Sequence, residues 1–327
     1  MARDFLLQRR AVLYRNLGSS GLKVSVVGLG SWLTIGNAID GGQSQRLVAH
    51  ALDQGVNLFD TADVYADGEG ERALGAAIAG VRRERLVLAT KCYFPTGDGP
   101  NDRGLSRKHV HESLRASLRR LQTDYVDLYQ CHRFDPETPL LETAMAMDDL
   151  IRAGHVLYWG TSQWPAERIA EVVGLCERHG LHRPISNQPL YNLFDRGLEA
   201  AILPTAARLG LGQLVYSPLA QGVLTGKYPP GAPAPAASRA NDPRSNQFVG
   251  RYLTEPRLLQ AQALVALARR AGLSATQLAL AFCLRDGRVT AVLVGARDPA
   301  QLDGSLAAVG VGVAAEVLQE LERIFPA

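Results

Sequence analysis

The sequence lacks the features of a membrane, secreted or nucleic-acid-binding protein. No run of about 18 or more apolar residues occurs, so no membrane span is expected, and residues 1–10 have no apolar core long enough for a signal peptide. The net charge of +3 on 327 residues is close to neutral, and no basic stripe with interleaved aromatics suggests a nucleic-acid partner. A cytoplasmic protein is therefore expected.

Cysteine is also scarce. The chain has four, which are Cys92, Cys131, Cys176 and Cys283. They form no CxxC pair, which favours reduced thiols over disulfides or zinc ligands. Cys131 precedes His132 and can be interpreted as a nucleophile, but a buried strand thiol is the favoured interpretation. His109 and His111 fall on a predicted helix, where they point in different directions, so no metal site is expected.

Three short apolar runs each stop on a titratable residue. The runs end at Asp60, Lys91 and His132, and Tyr65 follows the first of them in a loop. Polar residues at the C-terminal ends of parallel strands are where barrel enzymes keep their chemistry. The sequence therefore predicts that these four side chains meet at one rim of a sheet.

Eight strand-like runs alternate with helical patterns along the chain. This alternation implies parallel strands with helical crossovers. Eight such units over about 300 residues predict a closed (β/α)8 TIM barrel rather than an open doubly wound sheet. A β-hairpin over residues 14–24 precedes the barrel and is expected to plug its bottom, and an extra C-terminal helix is expected over residues 314–325. No central linker is apparent, so one domain is expected over residues 1–327.

Two segments admit an alternative interpretation. Gly28 and Gly30 follow a strand, as in a dinucleotide-binding turn, but Leu33 stands where the third glycine is required. A strand end at which small residues admit a ligand or a backbone is favoured. Residues 221–256 contain six prolines and no clear periodicity, so they form either a functional loop or a mobile insertion.

Several motifs, in order along the chain, carry a resemblance to a known family. They are residues 57–65 (NLFDTADVY), 90–92 (TKC), 104–108 (GLSRK), 125–132 (YVDLYQCH), 160–162 (GTS) and 216–220 (YSPLA). With them the chain resembles the aldo-keto reductases, in particular the branch that includes potassium-channel β-subunits and bacterial glyceraldehyde-phosphate (methylglyoxal) reductases. The resemblance implies NADPH at the C-terminal face of the barrel and carbonyl reduction by hydride transfer.

The resemblance assigns a catalytic tetrad, which consists of Asp60, Tyr65, Lys91 and His132. Tyr65 would donate a proton to the substrate oxygen, but its ordinary pKa is about 10. The Lys91 ammonium is expected to lower that pKa, and Asp60 is expected to keep Lys91 charged. His132 would hydrogen-bond the substrate oxygen and orient it.

The resemblance also implies cofactor and substrate contacts. Tyr216 matches the aromatic residue that stacks on the nicotinamide, and Ser162 and Gln188 match the carboxamide-binding positions. Arg297 beside a helix N-terminus is expected to bind a 2′-phosphate. The other expected cofactor contacts are Ser31, Trp32, Asp60, Gln163, Ser217, Pro218, Leu219, Ala220, Gln221, Lys227, Gly295, Gln301 and Ser305. The expected substrate contacts are Trp32, Tyr65, Tyr93, His132 and Trp164. Phe94 and residues 221–256 are also expected to form walls of the substrate pocket.

One motif departs from the family pattern. Gly304 and Ser305 stand where the family usually has an acid and an asparagine that grip adenine. The sequence therefore predicts a weaker adenine clamp but retains the expected phosphate ligands.

These residues predict an NADPH-dependent reductase of an aldehyde or ketone that acts on a small-molecule carbonyl. The resemblance also allows self-association. One alternative is a channel-binding protein, like a potassium-channel β-subunit, whose reductase site senses redox state. His132 favours the enzyme because channel subunits carry asparagine there. An NADP-dependent alcohol or sugar dehydrogenase working in the oxidative direction would use the same residues. A catalytically silent scaffold would be expected to lose members of the tetrad, and none is lost.

Overall fold

Eight parallel strands form the centre of the protein. The structure, a computed structural model, describes residues 12–327, so the prediction for residues 1–10 lies outside the described residues. The barrel strands are β3 (Val27–Gly30), β4 (Leu58–Asp60), β5 (Val87–Cys92), β6 (Val126–Cys131), β7 (Val156–Ser162), β8 (Ser186–Gln188), β9 (Gly212–Tyr216) and β10 (Val289–Val294). Each pairs with the next, and β10 closes on β3. The predicted (β/α)8 barrel is confirmed.

Helices connect the strands and surround the barrel. They are α1 (Gly41–Asp53), α2 (Glu69–Ala77), α3 (Arg107–Leu121), α4 (Leu140–Arg152), α5 (Ala166–His179), α6 (Ile202–Leu209), α7 (Glu255–Arg270), α8 (Ala275–Leu284), α9 (Pro299–Leu306) and the extra C-terminal α10 (Ala315–Ile324). Local signals set their ends. Ser106 caps α3 by accepting from the amide of His109, and Gly180 ends α5 in the left-handed conformation at φ +63°.

The predicted hairpin lies at the N-terminal ends of the barrel strands. Its strands β1 (Tyr14–Asn16) and β2 (Lys23–Ser25) pair antiparallel. Arg15 Nη1 donates to the carbonyl of Val289, where β10 begins, at 2.6 Å. Leu17 and Val24 are fully buried in the cluster that fills this end of the barrel. The hairpin therefore closes the bottom of the barrel, as predicted.

The barrel interior changes from apolar to polar along the strands. Its apolar layer consists of Leu58, Val87, Ala89, Leu128, Leu214, Ala291 and Leu293, with Leu17 and Val24 from the hairpin. Because side chains alternate along a strand, a residue two positions further on faces the same side. Asp60 therefore faces the same side as Leu58, two positions earlier, and Lys91 and Gln130 face the same side as Ala89 and Leu128. A buried polar layer rests on the apolar one at the C-terminal end.

Residues 221–254 contain no α-helix and no strand of the barrel, and α7 begins at Glu255. Short 3-10 turns at Ala220–Thr225, Arg239–Asn241 and Gly250–Tyr252 are the regular structure of this segment. All four cysteines are free and buried, and Cys131 is the buried strand thiol that was predicted. Within residues 12–327, no helix combines the length and the apolar character that crossing a bilayer requires.

Candidate active site

The ammonium of Lys91 joins three groups at the C-terminal end of the barrel. Lys91 Nζ donates to Asp60 Oδ2 at 2.6 Å, to the Thr61 carbonyl at 2.7 Å and to the Tyr65 hydroxyl at 3.2 Å. Lys91 is completely buried, and Asp60 is 3% exposed. The structure thus brings together the ammonium, carboxylate and phenol that the sequence predicted would meet.

The second oxygen of the Asp60 carboxylate binds two amides. Gln188 Nε2 donates to Asp60 Oδ1 at 2.8 Å and Gln130 Nε2 at 3.3 Å. Both oxygens of the Asp60 carboxylate therefore accept hydrogen bonds. Gln130 was not among the residues predicted from the sequence. It lies two residues before His132 on β6, and that spacing was the signal that could have identified it.

Burial and charge act in opposite directions on Lys91. Burial lowers the pKa of Lys91, but the Asp60 carboxylate and Tyr65 raise it by more, so its pKa lies above the ordinary value. The ammonium is therefore charged at neutral pH.

The pKa of Tyr65 lies above its ordinary value, contrary to expectation. Burial is the largest effect and raises this pKa, while Lys91 lowers it only in part. Lys91 lowers the pKa of Tyr65, as predicted, but burial raises it by more, so the prediction that this pKa falls toward the working pH is wrong. The Asp60 carboxylate beside Lys91 also raises the pKa of Tyr65 and offsets part of the ammonium's effect.

His132 is a neutral imidazole beside Tyr65. Burial, Lys91 and Arg133 hold the pKa of His132 well below its usual range. Its ring centroid lies 5.7 Å from that of Tyr65 and 4.9 Å from that of Phe94. Its Nδ1 is buried without a hydrogen-bond partner among the described residues. A neutral ring at this place can hydrogen-bond a substrate oxygen.

A cavity of about 1100 Å³ opens above these residues, and Asp60, Tyr65 and His132 line it. Lys91 is buried and is absent from the lining. Most of the expected cofactor and substrate contacts also line the cavity. They are Ser31, Trp32, Ser162, Gln163, Gln188, Tyr216, Ser217, Pro218, Leu219, Gln221, Lys227, Gly295, Arg297, Gln301 and Ser305.

Three expected contacts lie elsewhere. Ala220 is fully buried in the core. Tyr93 lines a separate, smaller pocket, and Trp164 is fully buried with its ring 5.3 Å from that of Phe134. Successive side chains point in different directions, so the neighbours Phe94 and Gln163 face the cavity in their place.

One end of the cavity is suited to a flat aromatic amide. The rings of Trp32 and Tyr216 both line it, with centroids 6.1 Å apart and nearly perpendicular. Gln163 Nε2 donates to the Tyr216 hydroxyl, which holds that ring in place. Ser162 Oγ donates to the carbonyl of Gln188 at 2.9 Å. This end adjoins the tetrad because Gln188 also binds Asp60.

The other end is suited to phosphate groups. Lys227, Arg239 and Arg297 line it, and burial, Arg239 and Arg297 together lower the pKa of Lys227. The loop after β9 has left-handed residues at Ser217 (φ 52°) and Gln221 (φ 60°). Backbone of this kind turns amide N–H groups into a concave anion site. Arg239 was not predicted individually, because it lies in the irregular segment 221–256.

Arg297 is held rigidly at the cavity wall. Its Nη2 donates to Asp242 Oδ2 at 3.0 Å, and its backbone amide donates to Gln301 Oε1 at 3.1 Å. Ser305 Oγ donates to the carbonyl of Gln301 within the same helix. Gly304 also lines the cavity but has no side chain to contribute. The acid and asparagine expected from the family pattern have no counterpart at these two positions.

A closed parallel barrel with an ionised cluster at the C-terminal ends of its strands is the architecture of a barrel enzyme. Residues 26–325 match the model of the aldo/keto reductase family, and the chain belongs to this family. Carbonyl reduction with NAD(P)H is the family's general chemistry.

Two plant proteins are similar to the chain over most of its length. It is 43% identical over 301 residues, covering 91% of both chains, to a probable voltage-gated potassium channel subunit beta of Arabidopsis thaliana. It is 42% identical over 316 residues, covering 95% of this chain and 96% of the relative, to a protein of the same description from Oryza sativa subsp. japonica.

Proposed function

We propose that the protein is an NADPH-dependent reductase that converts an aldehyde or ketone to an alcohol, with Tyr65 as the general acid. One observation carries this proposal. The Lys91 ammonium donates both to the Asp60 carboxylate and to the Tyr65 hydroxyl, and Asp60, Tyr65 and His132 line a cavity large enough for a dinucleotide and a small substrate.

The side chains supply what a carbonyl needs besides a hydride. NADPH, when bound, supplies the hydride. With its pKa above the ordinary value, Tyr65 is protonated at neutral pH and can give its proton to the substrate oxygen. The Lys91 ammonium, 3.2 Å away, then stabilises the phenolate that remains. His132, being neutral, accepts or donates one hydrogen bond without adding a competing charge.

The cavity wall supports the cofactor part of the proposal. Lys227, Arg239 and Arg297 would hold the phosphates, and Tyr216 would stack on the nicotinamide. Three cations at one end of the cavity are more than a pyrophosphate alone requires, which favours a cofactor with a 2′-phosphate. Arg297 is the residue that we assign to this phosphate.

Replacing Tyr65 tests the proton-donor role. With methylglyoxal or a similar small aldehyde, Tyr65→Phe is expected to lower kcat by about 10²- to 10⁴-fold, because one general acid contributes about that much. The assay is the loss of NADPH absorbance. Tyr158→Phe, on a barrel strand but outside the cavity lining, is the matched control and should turn over like the parent. Parent-like turnover by Tyr65→Phe would refute the assignment.

Replacing Arg297 tests the cofactor. Arg297→Ala is expected to weaken NADPH binding about tenfold more than NADH binding, because only NADPH carries the 2′-phosphate. Binding is measured by the quenching of tryptophan fluorescence. Arg288→Ala is the control because Arg288 precedes β10, at the opposite end of the strand from Arg297, and binds Asp286. Equal weakening of the two cofactors would remove the 2′-phosphate assignment.

A second candidate function comes from the relatives. Two proteins described as probable potassium channel β-subunits are 42–43% identical to the chain. A channel-binding role would be supported if the protein copurified with the cytoplasmic part of a voltage-gated potassium channel. A protein that reduces carbonyls rapidly and binds no channel segment would favour the enzyme alone. The oxidative reaction on an alcohol or sugar is tested with NADP⁺ in the same absorbance assay. A cytoplasmic location, self-association and the organisation of residues 1–327 as one domain stay predictions.

A further inference from the structure

We propose that the carbonyl substrate carries an anionic group, a carboxylate or a phosphate, and that Arg133 is the residue that recognises it. This inference rests on the proposed reductase function and deepens it by naming the substrate class. The observation behind it is that the guanidinium of Arg133 lies beside His132 in the wall of the same cavity and has no acid partner among the described residues.

Arg133 is held in place but not neutralised. Its Nη1 donates to the backbone carbonyl of His132 at 2.6 Å, and its guanidinium carbon lies 5.2 Å from the centroid of the Phe94 ring. Among residues 12–327, no carboxylate lies within ion-pair distance of it. A guanidinium has five N–H donors, and here one hydrogen bond uses one of them. The others are available to a ligand.

The second arginine near this part of the cavity shows the contrast. Arg251 also lines the cavity, but its Nη2 lies 2.5 Å from Asp195 Oδ1. Its charge is therefore balanced within the protein, whereas that of Arg133 is not. A half-buried cation without a counter-ion is unfavourable by itself. An anionic ligand would relieve this cost on binding.

Arg133 lies at the end of the cavity that contains His132 and Tyr216, rather than at the end that contains Lys227, Arg239 and Arg297. Its charge contributes to the lowered pKa of His132, after burial and Lys91, and opposes the rise that burial causes in the pKa of Tyr216. Lys227, Arg239 and Arg297 instead act on one another. The cofactor phosphates therefore have their own cations, and Arg133 remains for the substrate.

The charges of the cavity wall agree with an anionic substrate. Five cations line the cavity, but two of them are paired, Arg251 with Asp195 and Arg297 with Asp242. Arg133, Lys227 and Arg239 have no ion-pair partner among residues 12–327. The acids in the lining are Asp60 and Asp67. Asp60 is neutralised by Lys91, and Asp67 is exposed in the loop after Tyr65. A substrate whose carbonyl lies at Tyr65 and His132 would therefore have its anionic group close to Arg133.

Matched pairs of carbonyls test this inference. Succinic semialdehyde against butanal probes a carboxylate, and phosphoglycolaldehyde against glycolaldehyde probes a phosphate. We expect the parent to prefer the anionic member of at least one pair by about 10- to 100-fold in kcat/KM. Charge-assisted hydrogen bonds from a guanidinium group contribute about that much. Raising the salt from about 0.05 M to about 0.5 M should reduce that preference.

Arg133→Gln removes the charge and retains a donor for the His132 carbonyl. It should abolish the anion preference by raising KM for the anionic member of each pair, and Arg133→Lys should restore part of the preference. Arg168→Gln is the matched control. Arg168 also lies over an aromatic ring, that of Phe134, but pairs with Glu171 and is not part of the cavity wall. It should keep the parent preference.

The outcomes separate this inference from the proposed function. Reduction of neutral and anionic carbonyls at equal kcat/KM, or a preference that Arg133→Gln retains, would overturn the inference and leave the reductase standing. Failure to reduce any carbonyl would overturn both.

Discussion

The buried pair of Lys91 and Asp60 makes a prediction about stability that does not depend on the substrate. Lys91→Met retains the length of the side chain and removes its charge, which leaves the Asp60 carboxylate, only 3% exposed, without its cation. Removing one partner of a buried ion pair costs about 3–5 kcal/mol. Gln130 and Gln188 still donate to Asp60 Oδ1, so we expect the lower value, about 3 kcal/mol.

The reverse change and the double variant complete a cycle. Asp60→Asn leaves a buried ammonium with the Thr61 carbonyl and the Tyr65 hydroxyl as its partners, and we expect a similar loss of about 3 kcal/mol. The double variant contains no unpaired charge, so its loss should be smaller than the sum by about 2 kcal/mol. The assay is urea unfolding followed by tryptophan fluorescence, since Trp159 and Trp164 are fully buried.

An exposed pair on the protein surface is the control for this cycle. Lys108 and Glu112 pair along α3, with side chains 54% and 52% exposed. The same cycle on this pair should give a coupling of only about 0.3–0.5 kcal/mol. If the losses at Lys91 and Asp60 are simply additive, the two charges do not stabilise one another, and the account of the site given above is wrong.

Two further changes test other parts of the structure. Asp63 is buried, accepts from Ser113 Oγ at 2.7 Å and has its pKa raised from 3.8 to about 7, chiefly by burial. Asp63 ionises at a lower pH in the unfolded chain than in the folded protein. Its free energy contribution therefore makes the folded protein less stable as the pH rises from about 4 to about 7. Unfolding midpoints at several pH values should therefore show Asp63→Asn gaining on the parent across that range, by at most about 4 kcal/mol; parallel pH profiles would contradict this. Gly18→Ala should destabilise the protein by about 2 kcal/mol or more, because Gly18 has φ +60° and a Cβ there would lie 2.3 Å from the Gly210 carbonyl oxygen. Gly21→Ala, whose Cβ would meet nothing within 4 Å, should unfold like the parent, and equal unfolding temperatures for the two variants would refute the argument.

The barrel and most of its site could be predicted because their signals are local. Burial of one face of each helix and of nearly every strand residue leaves a periodic pattern in the sequence. A strand that ends on a charged residue places this residue at the rim without reference to the rest of the chain. Asp60, Lys91 and His132 were accessible in this way, and Gln130 would have been found by the same reasoning.

The cavity walls away from the strands could not be predicted residue by residue. Residues 221–256 have no periodicity, and their position depends on distant contacts such as that of Arg297 with Asp242. Phe248 contacts Trp32, with ring centroids 4.9 Å apart, although 216 positions separate the two in the chain. No local pattern encodes such a contact. Tyr93 and Trp164 were misplaced for a related reason, since a loop's backbone angles decide which of two neighbouring side chains faces the cavity.

The sequence alone determined the order of strands and helices and the residues at the strand ends, because both follow from side-chain alternation over a few positions. Only the tertiary structure decided how those residues are charged and which of them remain available to a ligand. The net pKa of Tyr65 depends on the balance between burial and the shared charge of Lys91 and Asp60, and the free guanidinium of Arg133 depends on the absence of a carboxylate near it among the described residues. Both are sums over neighbours that only the folded chain brings together.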